Sequence, residues 1–307
     1  MRNQRVKALS ISRPVFDMVK RDGLMGWVLA NYHRACNLVT SQGEIIALVS
    51  PAIGNGPLNI VIEENAALEH VKPGWPAVSS DGQLVLGDSL VVSLDGAQLW
   101  KPEVNWECLI TQRRRLEDNL AALCSWLSQN ELAKELLSLV LDGEEEAGAC
   151  EDKTRSPHHR AFLAMARVGI KGLRQALQDG DRPGIRENVA LLAGLGPGLT
   201  PAGDDYLVGL MAGLRVWPGP LEDSGLSPAE ACQIILEATE DRTTLLSRAF
   251  LHSAQEGLFG KNWHELLAEL AGGKAIGIQR AVRRILSSGA TSGADALAGF
   301  LSPYLWR

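Results

Sequence analysis

Residues 194–205 read Gly-Leu-Gly-Pro-Gly-Leu-Thr-Pro-Ala-Gly-Asp-Asp, and the apolar run Tyr206–Val216 follows directly. A turn and a helix cap would explain one or two of these residues, but not four glycines, two prolines and adjacent acids together. Gly196, Gly198 and Gly203 allow backbone angles and close approaches that a side chain would block. The helix expected after them opens with free N–H groups and a partial positive charge, where an anion is favoured. Three readings of Asp204 and Asp205 stand: they cap those N–H groups, or one caps while the other holds the loop by hydrogen bonds, or they point outward as acids or as ligands of Mg²⁺. Thr200 adds a hydroxyl to the same turn. The box lacks Gly-Lys-Ser/Thr, so it is no P-loop. With no strand leading in and the wrong spacing, it is no dinucleotide fingerprint either.

A second stretch echoes the box. Ala202-Gly-Asp-Asp-Tyr-Leu-Val-Gly209 aligns with Ser292-Gly-Ala-Asp-Ala-Leu-Ala-Gly299. Either this is chance in a chain rich in glycine and alanine, or two helices start alike and aim at one pocket. The second reading places Asp295 near Asp205 and adds Ser292 to the site. Further candidates are Asn59, a polar residue inside an apolar strand, and Arg242, which fits a bidentate clamp on carboxylate or phosphate. Ser247 and Thr244 lie in the same stretch as Arg242, and Thr243 reads as a helix cap. The candidate acids are therefore Asp204, Asp205 and Asp295. The candidate binding residues are Gly196, Gly198, Thr200, Gly203, Asn59, Arg242, Ser247 and Ser292. No histidine or cysteine pair has metal-ligand spacing, and no nucleophile elbow is present. No metal ligand is assigned; Mg²⁺ on the aspartates stays an alternative.

The elements that must position these residues divide in two. The first third holds short β-branched runs at Trp27–Tyr32, Ala35–Thr40, Ile45–Val49, Leu58–Ile62, Leu84–Leu86, Leu90–Leu94 and Leu99–Trp100. Turn residues separate them, as at Ser41–Glu44, Ser80–Gly82 and Asp95-Gly96. The spacing predicts an antiparallel sheet or barrel. From near Glu103 the period changes: Leu116, Leu120, Leu123 and Leu127 recur at helical spacing. Helices are expected over 157–178, 183–193, 206–216, 243–256, 263–271, 275–287 and 295–305, with a capping box at Ser227-Pro-Ala-Glu230. Asp142–Thr154 reads as an exposed loop. The expected fold is α+β, with a β-rich domain over 1–110 and a helical domain over 111–307.

Composition narrows the class. The 307 residues are 46% hydrophobic and 21% charged, with a net charge of −6, which argues against a nucleic-acid binder. Arg113-Arg114-Arg115 reads as a solvated helix face. Five scattered cysteines fit a reducing compartment. Met1–Arg13 is polar and basic, and no apolar run spans a bilayer, so the expected location is cytoplasmic, off the membrane.

The box at 194–205 closely resembles the hallmark of the AllH-like family of allantoin catabolism. Arg34-Ala-Cys-Asn-Leu-Val, Gly56-Pro-Leu-Asn-Ile-Val, Thr243-Thr-Leu-Leu-Ser247 with Ala254-Gln-Glu-Gly257, and Ser292-Gly-Ala-Asp295 match in the expected order, so the resemblance covers most of the chain. It implies a subunit of oxamate carbamoyltransferase, which interconverts oxalurate plus phosphate with oxamate plus carbamoyl phosphate. It also implies partner subunits, one of them acyl-CoA-synthetase-like. The Ser-x-Arg-Thr-Arg loop of ordinary carbamoyltransferases is absent, so their mechanism does not carry over. Two alternatives remain: a non-catalytic subunit that binds a small anion, and an Mg²⁺-dependent hydrolase or phosphotransferase using Asp204 and Asp205.

Overall fold

The computed structural model describes residues 4–20, 25–64, 66, 68–130, 132, 135–141 and 156–306. The loop expected at 142–154, with Cys150, lies outside the described residues. The chain forms two compact units: Met1–Glu103 with Leu258–Lys261, and Val104–Gly257 with Asn262–Arg307.

The first unit is a closed barrel. Its strands are β1 (Gln4–Ser12), β2 (Met25–Asn31), β3 (Ala35–Thr40), β4 (Ile45–Val49), β5 (Asn59–Ile62), β6 (Pro76–Ser80), β7 (Gln83–Leu86), β8 (Leu90–Ser93) and β9 (Gln98–Trp100). The order is β5-β4-β3-β2-β6-β7-β8-β1-β9, and a further pairing of β1 with β5 closes an eight-stranded ring. Alternation supplies the core: Cys36 and Leu38, Ile46 and Leu48, Ile60 and Ile62, Leu84 and Leu86, Leu90 and Val92 all point inward. Helix α1 (Arg13–Lys20) contributes buried Val15 to that core. Burial pushes the Cys36 thiol up to about 12, so it behaves as a core hydrophobe.

Of the expected antiparallel sheet or barrel, the barrel is formed, with mixed strand directions. β1 runs parallel to β8 and β9, and β4 parallel to β5. The sequence reading passed over β1, which closes the ring, because charged residues alternate with its inward Val6 and Ala8. It also passed over β6 and α1. Phe259 and Lys261 donate their N–H groups to Pro102 and Asn55, which ties the returning segment to the barrel.

The second unit is helical. It comprises α2 (Trp106–Ile110), α3 (Arg113–Gln129), α4 (Glu135–Leu141), α5 (Pro157–Asp179), α6 (Arg182–Leu192), α7 (Ala202–Val216), α8 (Pro228–Ala238), α9 (Leu245–Gln255), α10 (Lys261–Gly272), α11 (Ala275–Leu286) and α12 (Ser292–Leu305). The short α2 and α4 were not anticipated. The capping box at Ser227 and Glu230 is formed at the start of α8. No helix among the described residues is long and apolar enough to cross a membrane.

α7 and α12 are buried on nearly every side. They cross backbone to backbone. A methyl group at Gly209 would overlap the carbonyl of Ala296, and one at Gly299 would overlap the carbonyl of Tyr206. The relation is reciprocal, because 209 and 299, like 206 and 296, are equivalent positions of the sequence echo. Gly203 and Gly293 are equivalent too, and they abut the carbonyls of Leu192 and Ile285 at the ends of the preceding helices α6 and α11. The echo thus records two helix starts built alike. Between them, the Tyr206 hydroxyl donates to Ser302, which donates to Ala298, so the polar atoms inside the crossing are paired.

Gly209→Ala and Gly299→Ala should each destabilise the protein by about 2 kcal/mol or more, against the helix propensity of alanine. Gly272→Ala, where the methyl meets open space, should change stability by less than about 0.5 kcal/mol. Denaturant titration of the three variants checks this, and equal effects would remove the close-crossing argument.

Candidate functional site

The glycine box is an irregular loop from Ala193 to Pro201, joining α6 to α7. Gly194, Gly196 and Gly198 have φ of +72°, +116° and +102°, a region that L side chains rarely adopt. A methyl at Gly196 would also meet the Ala202 nitrogen at 2.9 Å, whereas Gly198 faces open space. Gly203 serves the packing of α7 on α6.

Asp204 is the bracket of this loop. Its carboxylate accepts from the Gly194 N–H at 2.8 Å and from the Thr243 hydroxyl, which ties the loop's first residue to the approach to α9. The residue is 1% exposed. Burial raises its pKa, and hydrogen bonds from Thr243, Gly194 and Ser247 oppose the rise. The Thr244 hydroxyl donates to the Leu199 carbonyl at 2.5 Å, and that of Ser247 to the same oxygen at 3.5 Å. Ser247 therefore braces the loop from outside.

The capping readings are corrected. Neither Asp204 nor Asp205 caps α7: the N-cap is Pro201, with no side-chain cap bond. The N–H groups of Asp204 and Asp205 donate to the Pro201 carbonyl, and that of Gly203 to Leu195. The start of α12 repeats this, with Ala294 and Asp295 donating to Thr291 and Gly293 to Ser288. These N–H groups are already engaged within the chain. On α9 the cap is Thr244, accepting from the Ser247 N–H, while Thr243 serves Asp204.

Asp205 and Asp295 are different from Asp204. Asp205 Oδ2 and Asp295 Oδ2 are buried with no hydrogen-bond partner among the described residues. Hydrogen bonds from Ser292 and Thr200 reach Asp205, and the Thr200 and Ser292 hydroxyls lie 3.1 Å apart. Asp295 is 0% exposed and accepts from the Leu136 N–H at 3.3 Å and from Thr291. Burial pushes the Asp205 carboxyl up to about 8. The Ser292 and Thr200 hydrogen bonds resist that rise, and repulsion from Asp295 and Asp204 adds to it. Burial pushes Asp295 up to about 6, against the Thr291 and Leu136 hydrogen bonds and with Glu135 adding to it. At both residues burial is the leading cause of the rise, and at Asp205 repulsion from Asp295 and Asp204 adds to it.

Arg242 and Asn59 have surroundings of their own. Arg242 is exposed, and its backbone carbonyl, not its side chain, packs against Gly194. Asn59 belongs to the barrel unit, where its amide donates to the Gly54 carbonyl at 2.9 Å. Sequence reasoning missed Thr291, Leu136 and Glu135. Glu135 carries a positive φ of 49° at the start of α4 and lies 3.5 Å from His159 Nε2. Nothing in the local sequence links residues 135–136 to Asp295. Among the described residues, no group of three or more His, Cys, Asp or Glu side chains is placed to hold a metal ion.

The family model described as oxamate carbamoyltransferase subunit AllH matches residues 192–303, and that of the AllH family N-terminal domain matches residues 7–99. The chain belongs to the AllH family. The first match contains the glycine box, Asp204, Asp205, Thr243, Ser292 and Asp295; the second contains most of the barrel. No solved structure matches the chain.

A carboxyl whose folded pKa is raised keeps a proton that the unfolded chain has released. Its favourable contribution is complete below the unfolded value of about 3.9 and is lost as pH rises through about 8 for Asp205. Asp205→Asn removes that loss. Its stability relative to wild type should rise between pH 5 and pH 8 by at least about 1 kcal/mol. Urea denaturation at several pH values tests this; a constant difference would show that Asp205 titrates normally.

Proposed function

We propose that the chain is the proton-handling subunit of a carbamoyl transfer between oxalurate and phosphate, with Asp205 and Asp295 as its acids. The observation that carries the reading is the pair of buried carboxyl oxygens left without partners on two equivalent helix starts. A buried polar atom without a partner costs free energy, so its retention fits use by a ligand. The family's description, oxamate carbamoyltransferase subunit, supports the reaction class and the presence of partner subunits.

With Asp205 raised to about 8 and Asp295 to about 6, the pair holds one proton at neutral pH. In the direction of carbamoyl phosphate, a phosphate oxygen bonds to the carbamoyl carbon. The carbon–nitrogen bond breaks, and the nitrogen leaves as the amide of oxamate with a proton from Asp205. The proton shed by phosphate restores the pair. In reverse, the ionised pair takes the amide proton as a general base. Asp295 sets the proton affinity of Asp205 by its charge, Thr200 and Ser292 orient the carboxyl, and Asp204 keeps the glycine loop in place. The negative charge that develops on the carbamoyl oxygen is stabilised by fixed donors in the assembled enzyme.

In the complex reconstituted with its partner subunits, Asp205→Asn and Asp295→Asn should each lower kcat by about 10²-fold or more. Wild-type activity in the direction of carbamoyl phosphate should fall above pH 8, as Asp205 loses its proton. Full activity in the doubly substituted complex would place the chemistry in another subunit and leave the chain as a binding module.

A further inference from the structure

Among the described residues, the groups that act on Asp205 and Asp295 are hydroxyls, a backbone N–H and other carboxyls, with no arginine or lysine. At both helix starts the second, third and fourth N–H groups are bonded within the chain. What faces a ligand is therefore two acceptor oxygens carrying one proton between them. A phosphate or carboxylate placed there meets like charge and few donors. A metal ion would find two carboxylates and no third ligand of the His, Cys, Asp or Glu kind among the described residues.

A primary amide or ureido group is complementary to this arrangement. Its N–H groups donate to an ionised carboxylate, and its carbonyl oxygen accepts from a protonated one. Asp295 is 0% exposed, so its free oxygen cannot be satisfied by bulk water and is available to a planar N–H donor that enters the site. We propose that the Asp205–Asp295 pair binds the carboxamide or ureido end of its substrate and rejects anionic ends, phosphate included. The inference rests on the transfer reading for the identity of the substrate. It assigns to this chain the neutral end of that substrate and leaves phosphate to other groups.

Oxamate and oxalate differ only in the replacement of NH₂ by a charged oxygen, so together they isolate the group in question. Calorimetry on the full-length chain at pH 7 should show oxamate binding at least about tenfold tighter than oxalate, since a buried acceptor left unpaired is costly. Inorganic phosphate should give no heat of binding. Asp295→Asn removes the charge that repels oxalate while keeping an acceptor, so the preference should shrink to within about threefold. A ratio of two ligands on one folded variant separates recognition from misfolding, and circular dichroism confirms the fold. Oxalate or phosphate binding as tightly as oxamate overturns the proposal, and so does a preference unchanged in Asp295→Asn. Absence of oxamate binding also overturns it. The kinetics of Asp205→Asn in the assembled complex test the transfer reading independently.

Discussion

The backbone contact between α7 and α12 is the constraint on which the helical unit depends. Two helices can approach this closely only where no side chain intervenes, and Gly209 and Gly299 provide that at reciprocal positions. The approach fixes the direction and depth of both helix starts. It places Asp205 and Asp295, each in a first turn, close enough for the charge of one to act on the other. It also explains why the two helices lack an amphipathic pattern: a helix enclosed on all sides has no solvent face to mark. The acids, with Tyr206 and Ser302, are polar exceptions to that largely apolar enclosure.

The loop before α7 is longer than its counterpart before α12. Residues Ala193–Pro201 separate α6 from α7, whereas Ser287–Thr291 separate α11 from α12. The longer loop needs a tether, which Asp204 supplies through Gly194 and Thr243. In the second copy the equivalent position is Ala294, and no tether is made there. The three acids of the site therefore divide by duty. One is spent on holding backbone, and two keep an oxygen free. Adjacent aspartates that look interchangeable in sequence have opposite environments: each oxygen of Asp204 has a donor, while Asp205 retains a buried oxygen without one.

Much of this was legible where the cause is local. The capping box at Ser227 rests on neighbours three residues apart, and so was readable. The helical stripe Leu116–Leu127 follows from side-chain period, and the strand runs from Trp27 to Ile62 from short β-branched stretches bounded by turn residues. The echo at Asp205 and Asp295 was readable because two similar environments select similar residues. What failed depended on distance. β1 closes the ring through strands remote in sequence, such as Ala8 with Ile62, and its charged alternate positions hide the inward Val6 and Ala8. The partner of Asp295 is the backbone of Leu136, which no side-chain pattern could announce. The cap of α9 is Thr244 and not Thr243, because a cap depends on the turn geometry of the loop, and Thr243 is taken by its tether to Asp204.

The glycine crossing also governs how water can reach the acids. Many sites open through fluctuations of a lid or terminus that cost little, because those segments belong to the least stable part of the molecule. Asp205 and Asp295 instead sit on the two most enclosed helices of their unit, joined where no atom separates the backbones. Asp205 keeps part of its surface exposed whereas Asp295 is fully buried, so water and ligands meet the pair from the Asp205 side without parting the helices. The dryness around Asp295 is thereby a property of the crossing, and it lasts as long as the two backbones stay in contact.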